Sequence, residues 1–532
     1  MTDFDSALTQ LDAFIDKHMR SAHTAGLSVG LTGRQDLLSV KTYGYADMAA
    51  KTPLAPASLF EIGSISKSFT SIVVMQMYEA GQLDLFSPVT RYLPWLEVQS
   101  SGEPITIHHL LSHTSGLING MDFTGEARYE VLALRQTSAA PAGARFHYSN
   151  TGYKALGVIL EDLLGQTYEE IIRSRILIPL GMGATDPIIS HETRKRLAVG
   201  YQSFYDDRPE NPNHPLAPAT WLETNTADGC IASNAEDMAK YVRMLLNSGQ
   251  PGVLSKEGFK LMSQPLTAAW EGHQYGYGLT ISEIDGYAHI SHGGGMVGYF
   301  STMLADMDNG FGVIVLANAP GETFEVADYA LKCLRSAIFD KALPSLSPSS
   351  NAVQIGKAET YAGVFRSGGK KLTFLAKGGK LVLHHKDARI PLEQRGLHSF
   401  YVDHPDFERY LLQFGTENDQ IVEVFHGPHW YVNDKYTGAT TFDNPVDWQA
   451  FIGHYRCHNP WYSNFRVVAR KGVLMLIWPS GEEFQLVPQG DGAFRVGVEQ
   501  LSPERVRFEA VIDGQALRAN LSECNYYRTF TP

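Results

Sequence analysis

The chain has 532 residues, 44% hydrophobic and 19% charged, which is ordinary globular usage and unlike a disordered chain or a fibre. Its 57 Asp and Glu outnumber 44 Lys and Arg, and the net charge of −13 argues against nucleic acid or an anionic membrane as partner. A small-molecule or short-peptide substrate stays open, a homo-oligomer is compatible with all of this, and the length suits about three domains.

Phe4, Leu8, Leu11, Phe14 and Ile15 recur at helical spacing, so an amphipathic helix opens the chain. That segment has no basic n-region, no apolar h-region and no small-residue cleavage site. No apolar run reaches the roughly 18 residues of a membrane span. Cys230, Cys333, Cys457 and Cys524 are scattered, with no CxxC or HExxH pattern to hold zinc. The expectation is a reduced, cytoplasmic protein that requires neither metal nor cofactor.

The first segment that carries chemistry is Glu61-Ile-Gly-Ser64-Ile-Ser-Lys67. Residues 65–77 are apolar nearly all round, so a buried helix is expected, closed by Gly81. Ser64 stands at its N-terminal end and Lys67 lies one turn on, on the same face. A serine hydroxyl is a poor nucleophile until a neighbouring base takes its proton, and a desolvated lysine near the positive end of a helix can share that task. The S-x-x-K pattern also occurs at Ser367–Lys370, but there it falls on a hairpin turn.

The next is Phe146-His-Tyr148-Ser-Asn150, which leads into a helix. A tyrosine at such a junction can relay a proton, and an asparagine amide can hold a substrate carbonyl. Y-x-N recurs at Tyr431 and Tyr462, so only the position of Tyr148 before a clear helix sets it apart. The third is the strand Ala288-His-Ile-Ser-His292 followed by three glycines, Gly293, Gly294 and Gly295. Glycines there allow close backbone approach, and His292 could stabilise charge or assist proton transfer. Farther back, Ser233-Asn-Ala-Glu236 reads as a capping box that starts a helix.

After about Ala342 the composition turns to Ser and Pro, and residues 343–356 read as a linker. Beyond it come short alternating strands, with a hairpin expected around Gly378-Gly379. This half repeats itself: Tyr361-Ala-Gly-Val-Phe365-Arg366 returns as Phe451-Ile-Gly-His-Tyr455-Arg456. Leu392 and Phe400 likewise match Leu486 and Phe494. Two copies of one antiparallel β module, an up-and-down barrel or a sandwich, account for the repeat.

Taken in order, Ser64-x-x-Lys67, Tyr148-x-Asn150 and His292-x-Gly294 resemble the active-site set of the class C β-lactamase and penicillin-binding superfamily of serine hydrolases. Residues 106–117, Thr-Ile-His-His-Leu-Leu-Ser-His-Thr-Ser-Gly-Leu, resemble the segment those proteins carry between the first two motifs. The resemblance covers about residues 5–340. It implies an α/β catalytic domain of β-lactamase/transpeptidase-like type, with an antiparallel sheet flanked by helices and an all-helical region, over residues 1–342. Two small lipocalin-like antiparallel β-barrels would follow, over 357–443 and 444–532. This architecture looks like the three-domain bacterial D-aminopeptidase.

By the same resemblance Ser64 is the nucleophile, Lys67 and Tyr148 the proton-transfer pair, and the N–H groups of Ser64 and Gly295 the oxyanion hole. Asn150 would position the acyl part, with His292 and Gly294 on the other side of the cleft. A Lys-Thr-Gly or Lys-Ser-Gly string is missing, so weak or no β-lactamase activity is implied. His-x-Gly instead resembles the D-aminopeptidase, D-amino-acid amidase and esterase branches. The expected activity is a peptidase or amidase on small peptides, with a carboxylesterase on short acyl esters as the alternative. Trp461 and Tyr462 are candidates for a loop that reaches the cleft, and a cap on the barrel is the competing reading.

Overall fold

A computed structural model of the protein describes residues 4–22, 24–100, 102–120, 126–346, 352–490 and 492–530. The chain divides into two compact units, Met1–Ser203 with Pro215–Leu346 and Phe204–His214 with Ser347–Pro532. Residues 347–351, within the segment read as a linker, lie outside the described residues. No helix among the described residues is long and apolar enough to cross a membrane.

The first unit is built on an antiparallel sheet of nine strands. Its central strands, Gly26–Thr32 and Phe311–Ala317, pair from Leu27↔Ala317 to Thr32↔Gly312 and are buried along their whole length. Both faces are therefore covered, and alternate residues show by what. Leu27, Val29, Leu31, Val313 and Val315 pack against the first helix, Asp5–Ala22, and the last, Thr323–Ile338, where the Phe14 ring stacks on Tyr329 at 3.8 Å. The first helix thus buries the apolar stripe expected from sequence. The intervening Gly30 and Gly312 lie against Ala235 and Val242 of the helix Ala235–Leu246 on the opposite face.

That helix starts one residue later than the sequence pattern suggests. Asn234 is its cap, accepting the Asp237 N–H at 2.9 Å, whereas Ser233 belongs to a short strand paired with Phe60 and bonds Thr185 at 2.8 Å. Once the serine hydroxyl is committed to a tertiary partner, it cannot serve the helix end, and the amide beside it does.

The buried helix expected after Ser64 runs over Ser66–Glu79 and carries the all-helical part of the unit. Phe69 stacks on Tyr241 at 4.0 Å, and the Tyr241 hydroxyl donates to Ser68 Oγ at 2.7 Å. Polar positions on the same helix find partners in neighbouring helices: Thr70 meets Tyr168 at 2.8 Å and Ser71 meets Tyr153 at 3.2 Å. Buried hydroxyls matched in this way fix the helix in register as well as in depth.

The second unit holds the two β modules. In one, nine antiparallel strands follow the chain around, and the first, Gly363–Ser367, closes on the last, His429–Val432, through Arg366↔Val432. The ring is open only between Ala388–Pro391 and Glu393–Gln394, which are consecutive in the chain. The other is a closed eight-stranded barrel in which Gly453–Arg456 pairs with Cys524–Arg528. The repeated hexads form the corresponding first strands, and each sends an aromatic inward: Phe365 meets Phe374 at 5.8 Å, and Tyr455 meets Phe465 at 5.5 Å. The hairpin at Gly378-Gly379 forms as expected, with Lys377 opposite Lys380 and φ of 60° and 71° at the glycines.

Phe204–His214 leaves the paired strands Tyr201–Ser203 and Leu216–Pro218 and belongs to the second unit. There Arg208 pairs with Glu408, Arg466 with Asp207 at 3.3 Å, and the Asn464 amide donates to the Asp206 carbonyl at 2.8 Å. Replacing Phe69 by Ala should cost about 3–5 kcal/mol, because a ring buried on every side is lost. Urea denaturation of wild type and Phe69→Ala measures it.

Candidate active site

A two-residue strand, Phe60–Glu61, delivers the chain into a single 3₁₀ turn, Gly63–Ile65, that runs straight into the helix Ser66–Glu79. Ser64 is held at the head of that helix. Gly63 has a φ of 53°, and a Cβ there would lie 2.8 Å from both the N and the O of Gly295, so only glycine lets this turn meet that strand. One turn on, Lys67 is 0% exposed. Its Nζ donates to Ser64 Oγ at 3.0 Å and to the Asp228 carbonyl at 2.8 Å. The same nitrogen lies 5.0 Å from the centre of the Tyr148 ring and 5.7 Å from that of Tyr153. A buried ammonium is tolerated only with such partners.

Tyr148 sits just before the helix Asn150–Leu164. Ser149 caps that helix, accepting the Gly152 N–H at 3.0 Å and donating to the Ile118 carbonyl at 2.7 Å. Asn150 opens it, and its Nδ2 donates to Asn119 Oδ1 at 3.1 Å, which orients the amide. Phe146 adds an aromatic wall beside Tyr148, with its ring 5.5 Å from Tyr275 and 5.7 Å from the half-exposed Trp270.

His292 and the glycines lie on the strand Tyr287–Met296. One edge of this strand pairs through to Met296↔Tyr299, but the other pairs with Thr280–Ile284 only as far as Ser291↔Thr280. Beyond Ser291 that second edge carries no partner strand among the described residues. A Cβ on Gly294 would fall 1.9 Å from the Ile62 carbonyl oxygen, whereas one on Gly295 would meet nothing within 4 Å. Gly294 therefore packs the strand against the Ser64 turn, and Gly295 faces open space.

His292 is 6% exposed and has both nitrogens engaged. Its Nδ1 donates to the Gly293 carbonyl at 2.6 Å, which leaves Nε2 to accept from the Tyr275 hydroxyl at 3.0 Å. Burial pushes its pKa down to about 4, the Lys67 charge adds to the fall, and the Gly293 bond opposes it. At neutral pH His292 is thus an uncharged ring.

The fold assembles Ser64, Lys67, Tyr148, Asn150, His292, Gly294 and Gly295 within the first unit. Trp461 and Tyr462 lie in the second, where the Tyr462 ring packs 5.2 Å from Trp478 and Asn459 Oδ1 accepts the Trp461 N–H at 2.9 Å. Four contributors escape the sequence reading: the Asp228 carbonyl, Asn119, Tyr275 and Trp270. Nothing in their local sequence marks them, since each works through a partner distant in the chain. Among the described residues the one group of metal-ligating side chains within mutual reach is His385, His404 and Asp406 in the second unit. Lys386 Nζ sits 3.0 Å from Asp406 Oδ2, an ammonium where a metal cation would have to bind.

An antiparallel sheet flanked by helices, with a serine and a buried lysine sharing a hydrogen bond beneath a tyrosine, defines a serine hydrolase of the β-lactamase and penicillin-binding-protein type. The Beta-lactamase family model matches residues 11–334, and the chain belongs to that family. It is 30% identical to penicillin-binding protein 4* of Bacillus subtilis (strain 168) over 329 residues, 57% of this chain and 70% of that protein. It spans 63% of the length of further curated relatives at 25% and 26% identity. The octameric penicillin-binding protein homologue from Pyrococcus abyssi is similar at 27% identity and a TM-score of 0.61, covering 80% of this chain and 100% of that one. D-amino acid amidase from Ochrobactrum anthropi SV3, at 24% identity and a TM-score of 0.54, covers 63% of this chain and 99% of that one and shares the fold.

Two outcomes follow from this geometry. Gly294→Ala should lower stability by at least about 2 kcal/mol through overpacking, while Gly295→Ala should stay within about 0.5 kcal/mol of wild type in thermal denaturation. For His292 the sign runs toward acid instability. The unfolded imidazole binds a proton near pH 6.5 and the folded one only near 4, so the contribution is complete above pH 6.5 and is lost as pH falls through 4. The loss is about 3 kcal/mol, and His292→Asn should show a correspondingly smaller drop in melting temperature between pH 7 and pH 4.

Proposed function

We propose that the protein hydrolyses amide or ester bonds through an acyl-enzyme at Ser64. The carrying observation is the Lys67 Nζ bonded at 3.0 Å to Ser64 Oγ with the Tyr148 ring beside it. In this reading Ser64 Oγ attacks the acyl carbon as its proton passes to the Lys67–Tyr148 pair. The same pair returns a proton to the leaving amine or alkoxide, and water then cleaves the Ser64 ester and restores the hydroxyl. The main-chain N–H groups of Ser64 and Gly295 receive the oxyanion, a role supported by how closely Gly63 packs on Gly295. Asn150, held by Asn119, orients the acyl part, and His292 lines the far wall as a neutral group.

That wall supports a reading of the substrate class. Where a cation would attract a carboxylate, this site has an uncharged, internally bonded imidazole, and Phe146, Trp270 and Tyr275 supply apolar surface near Tyr148. We read the substrates as small peptides or amides with an apolar side chain, in the manner of a D-aminopeptidase. Short acyl esters are the second reading, favoured by the same uncharged, aromatic lining. Self-association belongs to the proposal too, since the similar Pyrococcus abyssi protein is octameric.

The test is kcat/KM for wild type and Ser64→Ala on D- and L-alanine p-nitroanilides, short D- and L-peptides, p-nitrophenyl butyrate and a chromogenic cephalosporin. Ser64→Ala should lose at least about a thousandfold in kcat. Residual turnover of more than a few per cent would refute the assignment. Preference for free-amine D-substrates supports the peptidase reading, whereas ester cleavage with negligible amide turnover supports the esterase.

A further inference from the structure

We propose that His113 is a positioning residue for Tyr148, gripping the loop on both sides of the tyrosine so that its ring stays beside Lys67. The inference rests on the reading of Tyr148 as one half of the proton-transfer pair. His113 is fully buried just beyond the short helix Ile107–Leu111. Its carbonyl oxygen accepts the His147 N–H at 2.7 Å, and its side-chain Nδ1 accepts the Ser149 N–H at 3.0 Å. The residue between those two amides is Tyr148, whose ring centre lies 4.1 Å from that of the imidazole at an interplanar angle of 32°. One histidine therefore fixes three consecutive residues, two through the main chain and the middle one through its ring.

The grip is rigid because the imidazole is itself enclosed. Tyr275 lies 4.9 Å from it, Tyr153 5.0 Å and Phe146 5.7 Å. It is also locked in one protonation state. An amide can only donate, so Nδ1 must be bare and the ring proton resides on Nε2. Burial holds the pKa well below the ordinary histidine value, and the charge of Lys67 acts in the same direction. An imidazolium would release the Ser149 N–H and place a second positive charge next to Lys67.

The fold bears two costs to keep this residue. His113 has a φ of 56°, in the left-handed region that non-glycine residues seldom adopt. Its Nε2 is buried with no hydrogen-bond partner among the described residues. A side chain needed only to fill space would be exchanged for one that carries neither penalty, and strain retained in this way concentrates where geometry serves function.

The experiment compares His113→Ala, His113→Asn and His113→Gln with wild type and Tyr148→Phe in the full chain, using p-nitrophenyl butyrate. Asparagine accepts left-handed φ and brings Oδ1 close to the place of Nδ1, whereas glutamine carries its oxygen out toward the position of Nε2. Ala should lower kcat about 100-fold with KM within about threefold, as expected when a reacting group is displaced by about an ångström. Asn should recover at least about tenfold of that loss, and Gln should not. If Ala does not fold, the contrast between Asn and Gln decides. Equal activity in Asn and Gln overturns the proposal, as does wild-type kcat in Ala. A Tyr148→Phe protein with unchanged kcat overturns the underlying role of Tyr148, whereas a crippled Tyr148→Phe beside an intact His113→Ala overturns the His113 proposal alone.

Discussion

A lysine ammonium with no exposure to solvent has to be surrounded before it can be useful, and that requirement organises the first unit. Lys67 loses its hydration when the helix Ser66–Glu79 is buried, and among the described residues its hydrogen bonds go to Ser64 Oγ and the Asp228 carbonyl. Both partners must be in place for the helix to be buried at all. The segment around Asp228, the turn at Gly63–Ile65 and the tyrosines on either side of the ammonium are consequently fixed together.

The sheet supplies the opposite wall, and it does so by main chain rather than by side chain. Gly63 and Gly294 have no room for a Cβ, so the turn that carries Ser64 lies directly on the strand that carries His292. Among the described residues the neighbouring edge of that strand carries no partner beyond Ser291. The side chains behind it stay neutral: His292 through burial, with its Nε2 accepting from the Tyr275 hydroxyl, and His113 through burial and the Ser149 amide. Burial thus keeps the His292 and His113 rings near Lys67 uncharged.

The second unit obeys simpler rules. Its modules follow the chain around, strand beside strand, and close the first on the last, which removes most unpaired edges. The duplicated aromatic-Gly-aromatic-Arg hexad marks the first strand of each because that strand must present an aromatic to the barrel interior. The arginines of those strands have diverged: Arg456 pairs with Asp206, while Arg366 meets Asp434 at 3.4 Å at the surface.

What the sequence determined by itself was whatever depends on neighbours along the chain. The first helix, the buried helix after Ser64, the Gly378-Gly379 hairpin and the duplication were legible because periodicity, glycine placement and repeated hexads are local signals. Ser64 with Lys67, one helical turn apart, was legible for the same reason. Long-range contact decided the rest. Asn234 rather than Ser233 caps its helix because Thr185 claims the serine, and residues 204–214 join the second unit through Arg208, Asp207 and Asp206. The neutrality of His292 and the hold of His113 on Tyr148 come from burial and from partners far off in sequence, and burial is a property of the folded chain that no local pattern encodes.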